Sequence, residues 1–438
     1  MLRKKNTITS KSLSDKILFI IFALIVFRLG THIPLPWIDG AVLSEIANTS
    51  STGLLGVFNM FTGGALGRLS IFSLNIMPYI TASIVMQLLT VILKDLAALK
   101  KEGEAGRQKI AKYTRYFAIA LSAFQGYGIA VGAEHLDVNG RPVVLEVGAM
   151  FRIIATISMV GGTVFVMWLT DQISIYGIGN GSSLLIFSGI VAGLPSAIAN
   201  LFEMGRSGTM STIAIIFIAI LAISTVSLVI FVEKAFRKVN VHYPKRIVGR
   251  KMYGGTSTYI PLKLNVAGVL APIFASALLL FPTTLLTFIG NSIDTDSLFY
   301  SVIIQLGHGK PLFMALYIFL IFIFSFFYTS TLFNPEETAE NLRKAGAVVQ
   351  NKRPGKPTAE YLDRILTRLT YAGATYVSFI CIVPEFITSQ YSIPMYLGGT
   401  SILIVVNVIL DIFQQIQSHM LTSQYGNMMN KKMIGSGR

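Results

Sequence analysis

The sequence predicts an all-α membrane protein that crosses the bilayer ten times. Hydrophobic residues make up 53% of the 438 residues and charged residues only 13%, about half the share found in soluble proteins. A helix needs about 20 mostly apolar residues to cross a hydrocarbon core of about 30 Å. Ten segments meet this need: 17–35, 75–93, 113–133, 151–170, 182–201, 211–233, 264–289, 311–333, 367–389 and 394–413. No small-residue cleavage pattern follows the first, so we interpret it as a retained span and not a signal peptide.

The cationic residues indicate how these spans are oriented. Thirty of the 36 Lys and Arg residues lie in five segments that alternate with cation-poor ones: 1–16, 94–115, 233–263, 334–368 and 415–438. Cytoplasmic loops of membrane proteins are enriched in Lys and Arg. We therefore expect these five segments, and with them both chain termini, to face the cytoplasm.

Two of the cationic loops carry more charge than orientation requires. Segment 233–263 has eight cations interleaved with three tyrosines, and segment 334–368 has seven cations. Both are long, contain Gly and Pro, and are poor in hydrophobic core residues. This composition is typical of a docking surface for an acidic partner such as RNA phosphate or an acidic protein. The alternative is that the cations only set the orientation and contact anionic lipid.

The sequence contains no motif for an enzymatic reaction. It lacks HExxH, GxSxG and the phosphate-binding GxxxxGK[ST], and its five histidines are scattered over span ends and loops. The single cysteine, Cys381, offers neither a disulfide framework nor a metal-binding spacing, and we expect it to be a buried packing residue of the ninth span. The chain is therefore predicted not to be an enzyme and to use no cofactor or metal.

One apolar stretch, FNMFTGGALGRLSIFSLNIMPYITASI at 58–84, contains residues that are unusual in a lipid-facing span: the Gly63-Gly64 pair, Arg68, Asn75 and Pro78. A helix over 58–72 would be about 22 Å long, too short to cross the core. We predict a re-entrant half-helix that enters from outside and is followed by a full span. Irregular backbone at membrane depth is tolerated only inside protein or beside a water-filled cavity. The half-helix is therefore a candidate stopper for a pore, although a rigid re-entrant loop fits the same pattern.

A secondary transporter for a small solute is the main alternative function, because such proteins use broken helices and intramembrane charges. In that case the broken helix at 58–84 would be the substrate gate. The spans and their borders contain few ionisable residues: Arg28, Arg68, Arg152 and Asp411. These are interpreted as single charges near span ends, where long side chains can extend to the interface. No proton or sodium relay is visible.

Isoleucines recur four residues apart in two spans, as Ile80 with Ile84 and as Ile186 with Ile190, so each pair lies on one helical face. Alone, this pattern is more typical of packing or of lipid contact. Together with 58–84, six further segments resemble, in order, the family of SecY, the central subunit of the bacterial protein-translocation channel: KKEGEAGRQKIAKYTRY (100–116), YGIGNGSSLLIFSGIVAGLP (176–195), KRIVGRKMYGGTSTYIPLKLNVAGV (245–269), NPEETAENLRKAGA (334–347), RPGKPTAEYLDRILTRLT (353–370) and MYLGGTSILIVV (395–406).

The resemblance, which covers essentially the whole chain, implies two pseudo-symmetric five-helix halves, 1–205 and 206–438, around an hourglass pore. It implies that six isoleucines form a ring at the waist: Ile80, Ile84, Ile186, Ile190, Ile273 and Ile404. Such an apolar constriction dewets and blocks ions when empty. The half-helix 58–72 is implied to be the plug that closes the waist from outside, with six residues at positions of the family's motif: Asn59, Phe61, Gly63, Gly64, Leu66 and Arg68.

The resemblance also implies the function of a protein-conducting channel. Unfolded secretory precursors would pass through the ring, and apolar signal or membrane segments would leave sideways into lipid through a lateral gate, where spans two and three meet spans seven and eight. The implied partners are the SecE and SecG subunits, the SecA motor ATPase, the translating ribosome and the precursors of secretory and membrane proteins. The implied location is the bacterial cytoplasmic (inner) membrane. SecA or the ribosome would dock on the two cationic loops through five residues: Lys245, Arg246, Arg250, Lys251 and Arg353.

Asn407 departs from the pattern of the SecY family, which usually has an apolar residue three positions past Ile404. Its side chain would either face the pore and loosen the seal or form a hydrogen bond to another helix, and the sequence leaves both open. We predict that replacing Asn407 by Val leaves export intact or slightly tightens the closed state.

Overall fold

The computed structural model describes residues 13–39, 42, 62–134, 137–138, 141–208, 211–243, 246–248, 251–253, 255, 257–289, 310–349, 352–391 and 398–435. The helices in this part of the chain are α1 (Leu13–Gly30), α2 (Met77–Ile92), α3 (Lys94–Lys101), α4 (Glu104–Glu134), α5 (Ala149–Tyr176), α6 (Gly181–Arg206), α7 (Thr212–Glu233), α8 (Leu270–Ile289), α9 (Pro311–Leu332), α10 (Pro335–Lys344), α11 (Lys356–Tyr391) and α12 (Gly399–Gly435). The strands are β1 (Asp137–Val138), β2 (Arg141–Pro142), β3 (Phe236–His242), β4 (Arg246–Val248), β5 (Lys251–Tyr253), β6 (Ser257–Lys263) and β7 (Val348–Val349).

The predicted class of a helical, multi-span membrane protein is confirmed. Each predicted span overlaps one of the long helices. Within the described residues, seven helices are long and apolar enough to cross a membrane, or eight if α2 and α3 are taken as one bent span. Helix α1 is not among the seven because its 18 residues include three charged ones, Asp15, Lys16 and Arg28. The number of ten crossings stays a prediction.

Helix α2 ends where the sequence changes from apolar to charged. Leu93 has an extended backbone, and the axis turns by 98° into α3. Helix α3 begins with Lys94 and Asp95 and contains no buried residue. An amphipathic helix without a buried face lies at a surface and not inside a core. The change from apolar to charged residues at Lys94 therefore ends the second span.

The chain forms two compact units. The first comprises Met1–Ala197, Thr284–Ser292 and Val408–Arg438, and the second comprises Ile198–Thr283 and Ile293–Asn407. The core of the first unit joins the segment after α1 to helices α4 and α5 through a cluster of buried side chains that includes Leu35, Leu69, Leu74, Phe151 and Met159. The predicted halves, 1–205 and 206–438, remain a prediction.

The second unit contains a three-stranded antiparallel sheet in the order β6-β3-β7, which we call the loop sheet. Strands β3 and β6 come from the cationic segment 233–263, and β7 comes from segment 334–368. The sheet covers a cluster of buried residues: Val239, Val241, Leu262, Ala347, Val349, Leu362 and Leu366. Both loops were expected to be poor in hydrophobic core residues, yet each supplies part of one shared core.

A small polar cluster in the second unit joins α9, α11 and the first turn of α12. The Tyr317 hydroxyl lies 2.9 Å from Oγ1 of Thr400, which also lies 3.8 Å from Sγ of Cys381. Cys381 is a buried free cysteine, as predicted. Gly399 allows the close approach, since a Cβ there would lie 1.9 Å from the Ile380 carbonyl oxygen.

Candidate functional site

Residues 62–76, which we call the turn segment, contain the described part of the predicted plug. They form consecutive turns up to the start of α2, so the predicted helix over 58–72 is not the conformation of residues 62–72. The backbone φ is positive at four positions, which interrupts a right-handed helix: Gly63 (68°), Gly64 (86°), Leu69 (39°) and Asn75 (49°). Asn59 and Phe61 lie outside the described residues. Pro78 lies in the first turn of α2, where its missing N–H group costs nothing.

The turn segment is compact because its hydrogen bonds are local. Ser70 N donates to the Ala65 carbonyl oxygen at 3.0 Å. The Ser73 hydroxyl donates to the carbonyl oxygens of Ser70 and Ala65, at 2.5 Å and 3.2 Å. The segment thus folds back on itself and still satisfies backbone groups that would be costly to bury unpaired.

The chain after α1 holds the far end of the turn segment, residues 69–76, by backbone pairing; residues 62–68 are its near end. Ile71 N donates to the Ile33 carbonyl oxygen at 3.0 Å, and Leu35 N donates to the Leu69 carbonyl oxygen at 2.9 Å. Within the same unit the Phe72 ring stacks between Phe27 and Phe165, at centroid distances of 6.0 Å and 5.8 Å. This end of the segment belongs to the core of the first unit.

Two arginines hold the near end. Nη1 of Arg28, on α1, donates to the Gly63 carbonyl oxygen at 2.6 Å. Nη1 of Arg68 lies 2.9 Å from Nε2 of His32, whose Nδ1 lies 2.9 Å from the Arg28 carbonyl oxygen. The expectation that Arg28 and Arg68 are single charges reaching for the interface is therefore wrong, because both are hydrogen-bonded inside the first unit.

Glycines bring the turn segment close to neighbouring helices. A Cβ on Gly63 would lie 3.0 Å from the Cα of Gly189, on α6. A Cβ on Gly162, on α5, would lie 2.2 Å from the Ile71 carbonyl oxygen. The contact at Gly189 is notable because this residue directly precedes Ile190, one of the predicted ring residues. The turn segment therefore packs beside the part of α6 that carries the paired isoleucines.

The predicted ring residues are all buried. In the first unit, Ile80 and Ile84 on α2 are 8% and 5% exposed, and Ile186 and Ile190 on α6 are 5% and 1% exposed. In the second unit, Ile273 on α8 and Ile404 on α12 are 7% and 1% exposed. In contrast, isoleucines elsewhere on two of these helices are exposed, such as Ile198 on α6 at 49% and Ile409 on α12 at 50%.

Arg152 is also paired, so the prediction that it is a single charge near a span end is wrong. Its Nε and Nη2 donate to Oε2 of Glu134 at 2.8 Å and 2.6 Å, and the Glu134 side chain is only 2% exposed. Oε1 of Glu134 accepts a hydrogen bond from Gly148 N at 3.2 Å. A buried carboxylate with three donors is a structural connection between α4 and α5 and not part of an ion relay.

The loop sheet brings the two predicted docking loops together. Val241 and His242 of β3 pair with Val349 and Val348 of β7, more than one hundred residues along the chain. Arg353 is exposed and follows β7 closely, and its carbonyl oxygen accepts a hydrogen bond from the Thr358 hydroxyl at 2.7 Å. Arg246 and Lys251 lie in the paired strands β4 and β5. Lys245 and Arg250 lie outside the described residues.

One face of the loop sheet combines aromatic and cationic side chains. Phe236 and Tyr259 stack with centroids 6.4 Å apart, and Nζ of Lys238 lies 5.0 Å from the Tyr259 ring and 5.7 Å from the Phe236 ring. The sequence contained a signal for this strand, because apolar Val239 and Val241 alternate with polar residues, as exposed and buried residues alternate in β3. The pairing of β3 with β7 had no local signal.

Comparison with known proteins identifies the family. The model of the SecY family matches residues 70–413. The protein translocase subunit SecY of Rickettsia bellii is 52% identical over 423 residues, which are 97% of this chain and 97% of that protein. The protein of the same name from Escherichia coli K12 is 47% identical over 427 residues, which are 97% of this chain and 96% of that protein.

Solved structures share the fold at low sequence identity. A protein-conducting channel superposes with a TM-score of 0.68 at 17% identity, over 96% of each chain. A SecY structure in which the plug domain is described as stabilising the closed state and maintaining a membrane seal gives a TM-score of 0.63 at 19% identity, over 96% of each chain. Sec61 in the canine ribosome–channel complex gives a TM-score of 0.65 at 18% identity, over 96% of each chain.

These findings define a multi-span α-helical channel that conducts polypeptide. The chain belongs to the SecY family, on the strength of a family match over most of its length and of relatives about half identical throughout. The family and the fold support the protein-channel function and not the alternative of a solute transporter.

Proposed function

We propose that this protein lines the path by which unfolded secretory precursors cross a bacterial cytoplasmic membrane, and that its turn segment is part of the plug of that path. The observation that carries the proposal is the packing of Gly63 against Gly189, directly beside Ile190 and within the first unit. A re-entrant segment that contacts the helix of the predicted ring is in position to close it.

The six isoleucines form the constriction. Branched apolar side chains around a narrow passage exclude water and ions when the passage is empty. Around an extended polypeptide they deform without forming specific polar contacts, so the ring seals the pore and does not select a sequence. The burial of each of the six residues supports this role.

Apolar segments leave the channel sideways. The resemblance to the SecY family assigns spans two, three, seven and eight to the lateral gate. A signal sequence or nascent span of about 20 apolar residues gains free energy when it moves from water to lipid. The channel therefore only has to expose it to hydrocarbon.

The loop sheet is the docking platform. Its cations and the exposed Arg353 bind the translating ribosome or the SecA motor ATPase, which supply the work of translocation, because the chain itself has no nucleotide-binding motif. Arg353 forms no ion pair within the described residues, so its guanidinium is available to a partner. The SecE and SecG subunits complete the complex, anionic lipid contacts the remaining cations, both termini lie in the cytoplasm, and the chain catalyses no reaction of its own.

Site-specific photo-crosslinking tests the proposed path. A photoreactive amino acid replaces Ile80 or Ile404 in the reconstituted complex, and a stalled secretory precursor is added with SecA and ATP. We expect adducts that require ATP and disappear when the signal sequence is defective. The matched controls are Ile92 on α2 and Ile409 on α12, which are 72% and 50% exposed and should react with lipid. Equal precursor adducts at control and ring positions, or saturable uptake of a small solute without adducts, would contradict the proposal.

A further inference from the structure

The contacts between α1 and the turn segment contain a histidine in a bond that depends on its charge. His32 is exposed at the end of α1. Its Nε2 lies 2.9 Å from Nη1 of Arg68, and its Nδ1 lies 2.9 Å from the Arg28 carbonyl oxygen. Arg28 in turn donates to the Gly63 carbonyl oxygen at 2.6 Å. These three side chains therefore connect the C-terminal end of α1 to the turn segment at two places, the Gly63 carbonyl oxygen and the Arg68 side chain.

The partners of His32 determine where its proton lies. An arginine has donors only, so Nε2 of His32 must accept from Arg68. A carbonyl oxygen accepts only, so Nδ1 must carry the hydrogen and donate to Arg28. Both contacts require the same tautomer of a neutral imidazole. The Thr31 hydroxyl agrees with this assignment, because it donates to the Arg28 carbonyl oxygen at 2.7 Å and leaves its own oxygen, 3.3 Å from Nδ1, free to accept.

We propose that Arg28, His32 and Arg68 form a latch that positions the plug, and that protonation of His32 from the outer side of the membrane releases it. The inference rests on the proposed function and assigns a regulation to its plug. Arg28, His32 and Arg68 are positioning residues, because they act on the passage only through the turn segment.

Protonation weakens the latch in two ways. It converts Nε2 from an acceptor into a donor, so that it can no longer bond to Arg68. It also places a third positive charge beside two arginines that already repel each other. Histidine is the side chain that ordinarily changes charge between pH 5 and 8, so the test compares two pH values within that range.

The charged side chains around His32 are cations, which repel the imidazolium once it has formed. Arg28 faces it from its own helix and Arg68 from the turn segment, and among the residues that the structure describes no carboxylate pairs with His32. The segment is otherwise held by the Arg28–Gly63 bond and by the Ile71–Ile33 and Leu35–Leu69 backbone bonds, which do not require a neutral His32. Protonation should therefore loosen the Arg68 side of the Gly63-Gly64 turn while the far end stays attached.

The test uses the complete complex in vesicles, with one spin label on a cysteine at Leu66. The only native cysteine, Cys381, is buried. We measure label mobility and ion leak with the outer solution at pH 7.5 and at pH 5.5. We expect both to rise about threefold to tenfold at the lower pH, the effect of losing one charge-assisted hydrogen bond at a partly exposed site. We call this rise between pH 7.5 and pH 5.5 the pH step. His32→Gln should abolish the pH step, because glutamine can accept a hydrogen bond from Arg68 and donate one to the Arg28 carbonyl oxygen at either pH.

Two further variants separate the latch from general effects of pH. Arg68→Gln should give a mobile label at both pH values, whereas His419→Gln, at a histidine far along α12, should keep the pH step of the native protein.

A pH step that persists in His32→Gln, or no pH step in the native protein, would overturn the latch. The same vesicles are assayed for ATP-driven precursor translocation at pH 7.5. Translocation without a His32-dependent step rejects the latch alone, and failure of translocation in the native protein rejects the proposed function.

Discussion

The turn segment and the loop sheet differ in what holds them in place. In the loop sheet, seven consecutive residue pairs join β3 to β6 and bury side chains such as Val241 and Leu362. The turn segment has no such ladder, has positive φ at four positions, and is attached at its near end by Arg28 and Arg68. Local stability follows the number of buried apolar contacts and protected hydrogen bonds. The loop sheet is thus held by a continuous ladder over a shared core, whereas the near end of the turn segment depends on the hydrogen bonds of two arginines.

The largest effect should come from the core of the loop sheet. Leu362 is fully buried beneath it. Leu362→Ala should lower the free energy of unfolding of this region by about 2–5 kcal/mol, because the lost contacts leave a cavity. Hydrogen exchange of β3, β6 and β7 should speed up together while the turn segment is unchanged. Glu360→Ala, at an exposed position on the same helix, is the control, with an effect within about 0.5 kcal/mol. Faster exchange confined to one of the two loops would show that they do not share a core.

A smaller effect is expected at the turn segment, from Gly63. Alanine there would strain a backbone with φ of 68° and place Cβ 3.0 Å from both Nη1 of Arg28 and Cα of Gly189. The strain costs about 1–2 kcal/mol, so we expect ion leak through empty channels to rise about tenfold. Gly103→Ala is the matched control, because Gly103 has φ of 78° and a Cβ added there would have no neighbouring atom within 4 Å. Equal leak from both variants would mean that backbone strain, and not the contact with α1 and α6, controls closure.

Docking should respond to single cations only moderately. Arg353→Ala should weaken binding of ribosomes or SecA about fivefold to thirtyfold, through the loss of charge-assisted hydrogen bonds. The structure gives no reason for a change in folding, since Arg353 contributes only its carbonyl oxygen, to Thr358. Binding is measured with vesicles at two salt concentrations, and Arg364→Ala, another exposed cation of the second unit, is the control. An equal loss from both variants would indicate general attraction of charge and not a defined site.

The same contrast explains how much the sequence could predict. Apolar runs placed a helix at every predicted span, because they are local signals. The bounds agree within a few residues for spans such as 75–93 and 311–333, whereas α4 and α11 begin well before the predicted spans and α12 ends well beyond its span. The break before α2 followed from Asn75 and Pro78. The bond from Arg28 to Gly63 joins residues 35 positions apart, and the pair Val241–Val349 joins two loops. Nothing in a local pattern distinguishes a latched arginine from one that reaches for the interface. The helical form predicted for 58–72 failed over 62–72 because backbone torsion at the glycines outweighed apolar composition.

The smallest effect is expected at Asn407, where neither region is involved. Its Nδ2 is buried and has no hydrogen-bond partner within the described residues, so a hydrogen bond donated to another helix, as the second of the two roles left open by the sequence would allow, has no support there. An unpaired buried donor costs about 1–3 kcal/mol, and its replacement by an apolar group of similar shape is neutral or stabilising. Asn407→Val should therefore leave export intact and reduce leak slightly, by about twofold to fivefold, with Asn407→Ala as the control that also removes the amide but leaves a void. A severe export defect in the valine variant would contradict this prediction. It would mean that the amide forms a hydrogen bond in the working channel, because removing an amide that stays unpaired should not impair transport.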